Sequence, residues 1–258
     1  MKIYLINLDK DKERFARAKD QLTGLGFTFE RISAVNGKAL SKVEASRAYD
    51  HFRWWCAIGR PIRIGEIGCA LSHFKIYRKM LANGDKSALI LEDDVILGAG
   101  FVARLQEVER FVDPAKSQVV LLSNHTGKSP TNNGIIKCSG DRHSESYVLT
   151  SMAARSLLDV NYPIEAPCDY WDRWVKKGAI ELYHAFPSVC SPNEEEFSSN
   201  IAPKGVLVVS ELSKPMWLVH KMKRTIGKII DCCWIVAETV FHKSSNGTGD
   251  EIKEQVND

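Results

Sequence analysis

The chain opens on a short apolar run, residues 2–8, that passes into Asp9 and Asp11; Phe15, Ala18, Leu22 and Leu25 then recur at helical spacing until Gly26. Strand, polar turn and helix are expected in that order. Residues 27–32 alternate apolar and polar positions as a second strand, and residues 42–58 read as one aromatic-rich helix stopped by Gly59 and Pro61. From 66 to 81, Ile67, Ala70, Leu71, Phe74, Tyr77 and Leu81 share one helical face, with Gly84 as the stop signal. Residues 87–91 form a continuous apolar strand that runs directly into Glu92, Asp93 and Asp94, with Val95 and Ile96 behind them. Downstream the pattern predicts a helix over 101–111, a strand over 118–122, a polar loop over 123–133 and a strand over 146–150. Ser151 is then expected to cap a helix carrying Leu157 and Leu158. Residues 191–205 are polar and Pro-punctuated, a loop placed to close over a site.

Strands alternating with helices imply an α/β fold whose largely parallel sheet is flanked by helices, with a ligand crevice at the carboxyl ends of the strands. Composition narrows the class. With 258 residues and 44% apolar side chains the chain can bury a large core without a disulfide framework. Its seven cysteines, Cys56, Cys69, Cys138, Cys168, Cys190, Cys232 and Cys233, form an odd set without C-x-x-C units, which favours free thiols in a reducing compartment. The N-terminus breaks into charge too early for a signal-peptide core and no run of about 18 apolar residues follows, so the expectation is a protein neither secreted nor membrane-spanning. A net charge of +3 argues against a nucleic-acid partner for the molecule as a whole.

Two segments carry candidate chemistry. Carboxylates at 92–94, at the end of a buried strand, project into the crevice and need a counter-charge, which Mg²⁺ or Mn²⁺ with hard oxygen ligands supplies; the alternative is a solvated acidic turn. The run Gly65 to His73 opens a helix with two glycines and puts Glu66 and His73 on one face two turns apart, so that Ser72 and His73 are placed to donate to a ligand. The run is neither a dinucleotide fingerprint nor a Walker loop, and its glycines serve either helix packing or phosphate binding.

The segments INLDKDKER, GEIGCALSH, LILEDDV and ESYVLTSMAARSLL followed by PCDYWD occur in an order that resembles family 25 glycosyltransferases, the bacterial lipooligosaccharide biosynthesis group related to collagen galactosyltransferases. The resemblance spans residues 1–201. It implies a nucleotide-diphosphosugar transferase fold of the GT-A type, a UDP-sugar donor, a divalent metal (Mn²⁺ or Mg²⁺) and inversion at the anomeric carbon. It maps the metal motif onto Glu92, Asp93 and Asp94, with Asp94 as the leading ligand and Glu92 beside it, and the nucleotide side onto Asn7, Leu8 and Arg14. Arg14 is then a phosphate or uracil contact, or else an exposed helix charge. Inversion by single displacement requires a base separate from the metal ligands. Asp169 is the first choice, with Asp172 and one of Glu194, Glu195 and Glu196, Glu195 foremost, behind it; the other role for Asp169 is a helix cap. The segment 186–201 departs from the family pattern, with glutamates where an amide is expected and Asn200 where an acid is expected.

Beyond residue 213 the pattern changes. Val219, Met222, Ile226, Ile229, Ile230, Cys233, Ala237, Val240 and Phe241 trace an apolar helical stripe flanked by Lys221, Lys223, Arg224 and Lys228, with Trp217 and Trp234 as interfacial rings. The expected organisation is a catalytic domain over 1–213, a basic amphipathic segment over 214–243 lying on a membrane surface, and a disordered tail over 244–258. Packing on the domain, or against a second copy in a homodimer, is the alternative use of the stripe. The function expected is transfer of a hexose, galactose or glucose, to a lipid-linked lipooligosaccharide or lipopolysaccharide acceptor by a cytoplasmic enzyme peripheral on the inner face of the bacterial inner membrane. A non-catalytic saccharide- or nucleotide-binding protein retaining the fold is the alternative.

Overall fold

The computed structural model describes residues 1–123 and 133–193. Along the chain these form β1 (Lys2–Asn7), α1 (Lys12–Gly24), β2 (Glu30–Ser33), α2 (Lys42–Ala48), α3 (His51–Ile58), α4 (Ile64–Asn83), β3 (Ser87–Glu92), β4 (Val95–Leu97) and α5 (Phe101–Phe111). There follow β5 (Gln118–Leu121), β6 (Gly134–Cys138), β7 (Ser146–Thr150), α6 (Ser151–Asn161), α7 (Trp171–Lys176), β8 (Glu181–Phe186) and β9 (Cys190–Pro192). A 3-10 turn, Gly37–Ala39, sits between β2 and α2.

The seven-stranded sheet has the order β2-β1-β3-β7-β5-β8-β6. Strands β2, β1 and β3 are parallel, β7 is antiparallel to both of its neighbours, β5 and β8 are parallel, and β6 closes the edge antiparallel. The sheet is therefore mixed, with a three-stranded parallel block on its β1 side and a second parallel pair, β5 and β8, toward the other edge. Alternation along the strands separates two cores, because successive side chains leave opposite faces. Tyr4, Ile6, Ala88 and Ile90 pack beneath α2, α3, α4, α6 and α7, whereas Ile3, Leu5, Leu89 and Leu91 pack beneath α1 and α5. This agrees with the expected α/β architecture.

Local departures have physical causes. Residues 42–58 make two helices rather than one: Tyr49 is extended and bridges to Ile164, and Asp50 restarts the helix by accepting the Arg53 amide at 2.8 Å. A tertiary pairing with a distant residue outweighs the local helical period there. Thr150, not Ser151, caps α6, accepting from the Ala153 amide at 3.2 Å. The second strand starts three residues later than the alternation suggested, at Glu30. Among the described residues no helix is long and apolar enough to cross a membrane. Glu194, Glu195 and Glu196, the 214–243 segment and the tail lie outside the described residues.

Candidate active site

The crevice forms where β1 and β3 end side by side, with Ile6 in register with Glu92. Its lining runs from Ile6, Asn7, Leu8, Lys10, Asp11 and Arg14, through residues 34–38, to Gly65, Cys69, Ser72 and His73 of α4 and the acids Glu92, Asp93 and Asp94. Every candidate on the donor and metal side is therefore brought to one cleft, at the strand ends where an α/β sheet binds its ligands.

The three acids do different things. Asp93 is 7% exposed and is tied down: Asn7 donates Nδ2 to it at 2.6 Å and Arg14 donates NH1 at 3.0 Å. Arg14 is itself buried, with NH2 3.6 Å from Asp94, so it is neither an exposed helix charge nor a cation wholly open to a ligand; it is the counter-charge built into the acid cluster. Asn7 is equally engaged, since its Oδ1 accepts from Arg31 at 2.9 and 2.7 Å. Glu92 accepts from Ser144 Oγ at 2.7 Å and lies 3.4 Å from His73 Nε2. Among the described residues Asp94 has no comparable clamp. Burial and the charge of Glu92 push its carboxyl up to about 7, against the opposing pull of Arg14.

The donor chemistry fits a hard divalent cation. Among the described residues Arg14 and the His73 imidazolium face three carboxylates; Asp93 is spent on structure, Glu92 is partly balanced by His73 at 3.4 Å, and Asp94 is left under-compensated toward the cleft. Asp94 and Glu92 would hold the ion.

On α4 the reading of the sequence needs correction. Ser72 donates to the Gly68 carbonyl at 2.6 Å and accepts from the Val35 amide at 2.8 Å, so its hydroxyl braces the wall of the cleft. Glu66 does not share a ligand face with His73: it pairs with Arg60 and accepts from the Arg63 amide at 2.8 Å, capping the helix. Gly68 serves packing. A Cβ on Gly68 would lie 2.6 Å from the Val35 carbonyl oxygen, and one on Gly37 would lie 2.0 Å from that of Ile64, so only two glycines let the 3-10 turn sit against α4.

The acceptor-side candidates fall elsewhere. Asp169 is not part of the cleft lining; it follows Cys168, and burial together with the Cys168 charge pushes its carboxyl well above the ordinary range. Asp172, in the first turn of α7, is 3.3 Å from Lys176 Nζ and 4.0 Å from Arg142 Nε, an ion-paired position away from the cleft.

Sequence reasoning missed one cluster. Cys69 Sγ lies 3.6 Å from Cys168 Sγ, and His73 lies beside both. The S–H of Cys69 donated to Cys168, opposed by burial and aided by His73, brings the Cys168 thiol down to about 5, while Cys69 is held well above its usual value. Burial opposes the charge on His73, but Cys168 and Glu92 outweigh it and raise the imidazole to about 10. The i, i+4 spacing of Cys69 and His73 was the available signal; nothing local pointed to Cys168.

A mixed α/β sheet with an acid-lined crevice at its parallel strand ends is an architecture suited to binding an anionic ligand through a cation. The chain belongs to glycosyltransferase family 25: the family model described as "Glycosyltransferase family 25 (LPS biosynthesis protein)" matches residues 1–171. A glycosyltransferase 25 family member of Aedes aegypti is 36% identical over 109 residues, 41% of this chain and 18% of that protein. Procollagen galactosyltransferase 1 of Danio rerio is 34% identical over 117 residues, again 41% of this chain and 18% of the relative. The match thus spans less than a fifth of these relatives' length. A solved glycosyltransferase involved in the glycosylation of the major capsid of PBCV-1 aligns over 64% of this chain and 72% of its own at 14% identity, with a TM-score of 0.26.

Proposed function

We propose that this chain is an inverting, metal-dependent glycosyltransferase that moves galactose or glucose from a UDP-sugar to a lipooligosaccharide or lipopolysaccharide acceptor. The observation that carries the reading is the cleft in which three carboxylates, with Asp94 under-compensated, stand at the ends of parallel strands in a chain of family 25. Mn²⁺ or Mg²⁺ held there supplies a Lewis acid for the departing diphosphate. Lys10 and Lys38 line the same cleft and add ammonium groups to the diphosphate side. Arg14 fixes Asp93 and, through it, the Asn7 end of β1, so that the acids keep their direction while the donor is bound.

The acceptor hydroxyl loses its proton to a carboxylate other than Glu92 and Asp94. Asp169 is favoured over Asp172, since burial raises its affinity for a proton, while Asp172 is engaged by Lys176. The acceptor is lipid-linked and the protein is cytoplasmic, peripheral on the inner face of the bacterial inner membrane. That part of the reading is supported by the basic stripe of 214–243, with Lys221, Lys223, Arg224, Lys228 and its tryptophans.

Calorimetric titration of a panel of UDP-sugars into the purified chain, with Mn²⁺ and then with chelator, tests this. One UDP-hexose is expected to bind only with the ion present. Failure of every UDP-sugar to bind would overturn the proposal.

A further inference from the structure

The cluster behind the acids has the makings of a second, chemically distinct site. Cys69 and His73 are four residues apart and leave the same face of α4, and Cys168 arrives on the connection between α6 and α7. The three ligand atoms lie within 4.8 Å of one another. The two sulfurs are 3.6 Å apart, far from the S–S bond of about 2.04 Å in a disulfide. Two thiolates bound tetrahedrally at about 2.3 Å each stand about 3.8 Å apart, close to what is found.

His73 adds an independent observation. It is 1% exposed, its Nδ1 is hydrogen-bonded to Tyr147 Oη at 2.7 Å, and Tyr147 is held in turn by Tyr77 Oη at 2.8 Å. Nε2 is fully buried and has no well-formed hydrogen bond among the described residues, with Glu92 Oε1 3.4 Å away as its near neighbour. A ring anchored through one nitrogen while the other lacks a well-formed hydrogen bond is how a metal-ligating histidine is held, the outer partner fixing tautomer and orientation.

We propose that Cys69, His73 and Cys168 form a binding site for a thiophilic divalent cation of the Zn²⁺ class, separate from the carboxylate site for a hard cation. Thiolate and imidazole donors select for such an ion over Mg²⁺ or Mn²⁺. The three protein ligands leave a fourth position beside Glu92, whose Oε1 is 3.4 Å from His73 Nε2. The ion would pin the connection carrying Cys168 and Asp169 to α4, and so set where the acceptor side of the cleft begins. The site stands on its own donor geometry and does not depend on sugar transfer.

The test is titration of the full, reduced, metal-stripped chain with Co²⁺ alone, followed by Zn²⁺. One Co²⁺ per chain is expected at this site, with thiolate-to-cobalt charge-transfer absorption and the strong visible bands of tetrahedral coordination, displaced by one equivalent of Zn²⁺ and unaffected by excess Mg²⁺. The Cys69→Ser and Cys168→Ser variants should each lose most of that absorption, whereas Asp94→Asn and a Cys232→Ser/Cys233→Ser chain should keep it. Tyr147→Phe should weaken Zn²⁺ binding by about 10- to 100-fold, the effect of losing an outer partner. Absence of thiolate–cobalt absorption in the folded wild-type chain, or absorption that survives Cys69→Ser and vanishes in the Cys232→Ser/Cys233→Ser chain, would overturn the proposal.

Discussion

Two acidic regions of this molecule are built on opposite rules. Glu165 is a single carboxylate, 1% exposed, on which three cations converge: Arg173 Nε at 2.9 Å and Lys177 Nζ at 2.6 Å on one oxygen, Arg53 NH1 at 3.5 Å from the other. The 92–94 cluster reverses the ratio, setting three carboxylates against Arg14 and the His73 imidazolium. A buried charge with surplus partners is a fastening, because its desolvation is met inside the protein. A group of like charges with too few partners is poised for something from outside. Charge balance, more than acidity itself, separates structure from function here.

The contrast breaks most sharply at Asp94. Asp94→Asn removes charge with little change of volume, and transfer is expected to fall by about 100-fold or more, since an ionic interaction of the transition state is lost; thermal unfolding should show no loss of stability. A variant that unfolds while its folded fraction still turns over would place Asp94 with the fastenings. Glu165→Gln should do the reverse. It leaves cations without their anion and is expected to cost about 3 kcal/mol in denaturant unfolding, the low end for a broken buried pair because Lys177 and Arg173 retain some contact with water. Transfer per folded molecule should be unchanged.

Gly68→Ala tests whether the wall of the cleft matters apart from its charges. Its Cβ would meet the Val35 carbonyl oxygen at 2.6 Å, a backbone atom that cannot swing away, so about 2 kcal/mol of overpacking strain is expected, along with a raised KM for the donor. Native stability and KM would count against the close contact. The smallest effect belongs to Asp141, where burial is outweighed by His184 at 3.1 Å and the Arg142 amide, so that its carboxyl sits below the ordinary range. A depressed carboxyl contributes stability that is fully present above the unfolded value near 4 and is lost as pH falls through the lower folded value. Asp141→Asn should flatten that acid limb while leaving the slope above pH 5 unchanged; an unaltered acid limb would mean that the pair contributes nothing.

The parts of this molecule that could be read directly were those where one local signal sufficed. The unbroken apolar runs of β1 and β3 announced buried parallel strands, and the acids that follow β3 had to fall at their carboxyl ends. Family resemblance supplied the order of the motifs. What escaped depends on distant partners. The break between α2 and α3 is imposed by Ile164, and β6 is a half-exposed edge strand without clean alternation. The fate of Arg14 could not be foreseen because its partner lies 79 positions away, and Cys168 meets Cys69 across 99. Residues 92–94 looked alike in sequence; only the fold shows that Asp93 is spent and Asp94 is not.

The face-to-face glycines at 37 and 68 have a consequence for anyone reshaping this cleft by directed evolution. Each is closed to side chains by backbone from the opposite element, so neither can be varied alone without moving the other's segment. Asn36 and Lys38, on either side of the turn, are exposed and line the same cleft. A library that randomises 36 and 38 while holding 37 and 68 fixed would explore new ligand preferences on a wall that stays put, and most of its members should remain soluble and folded.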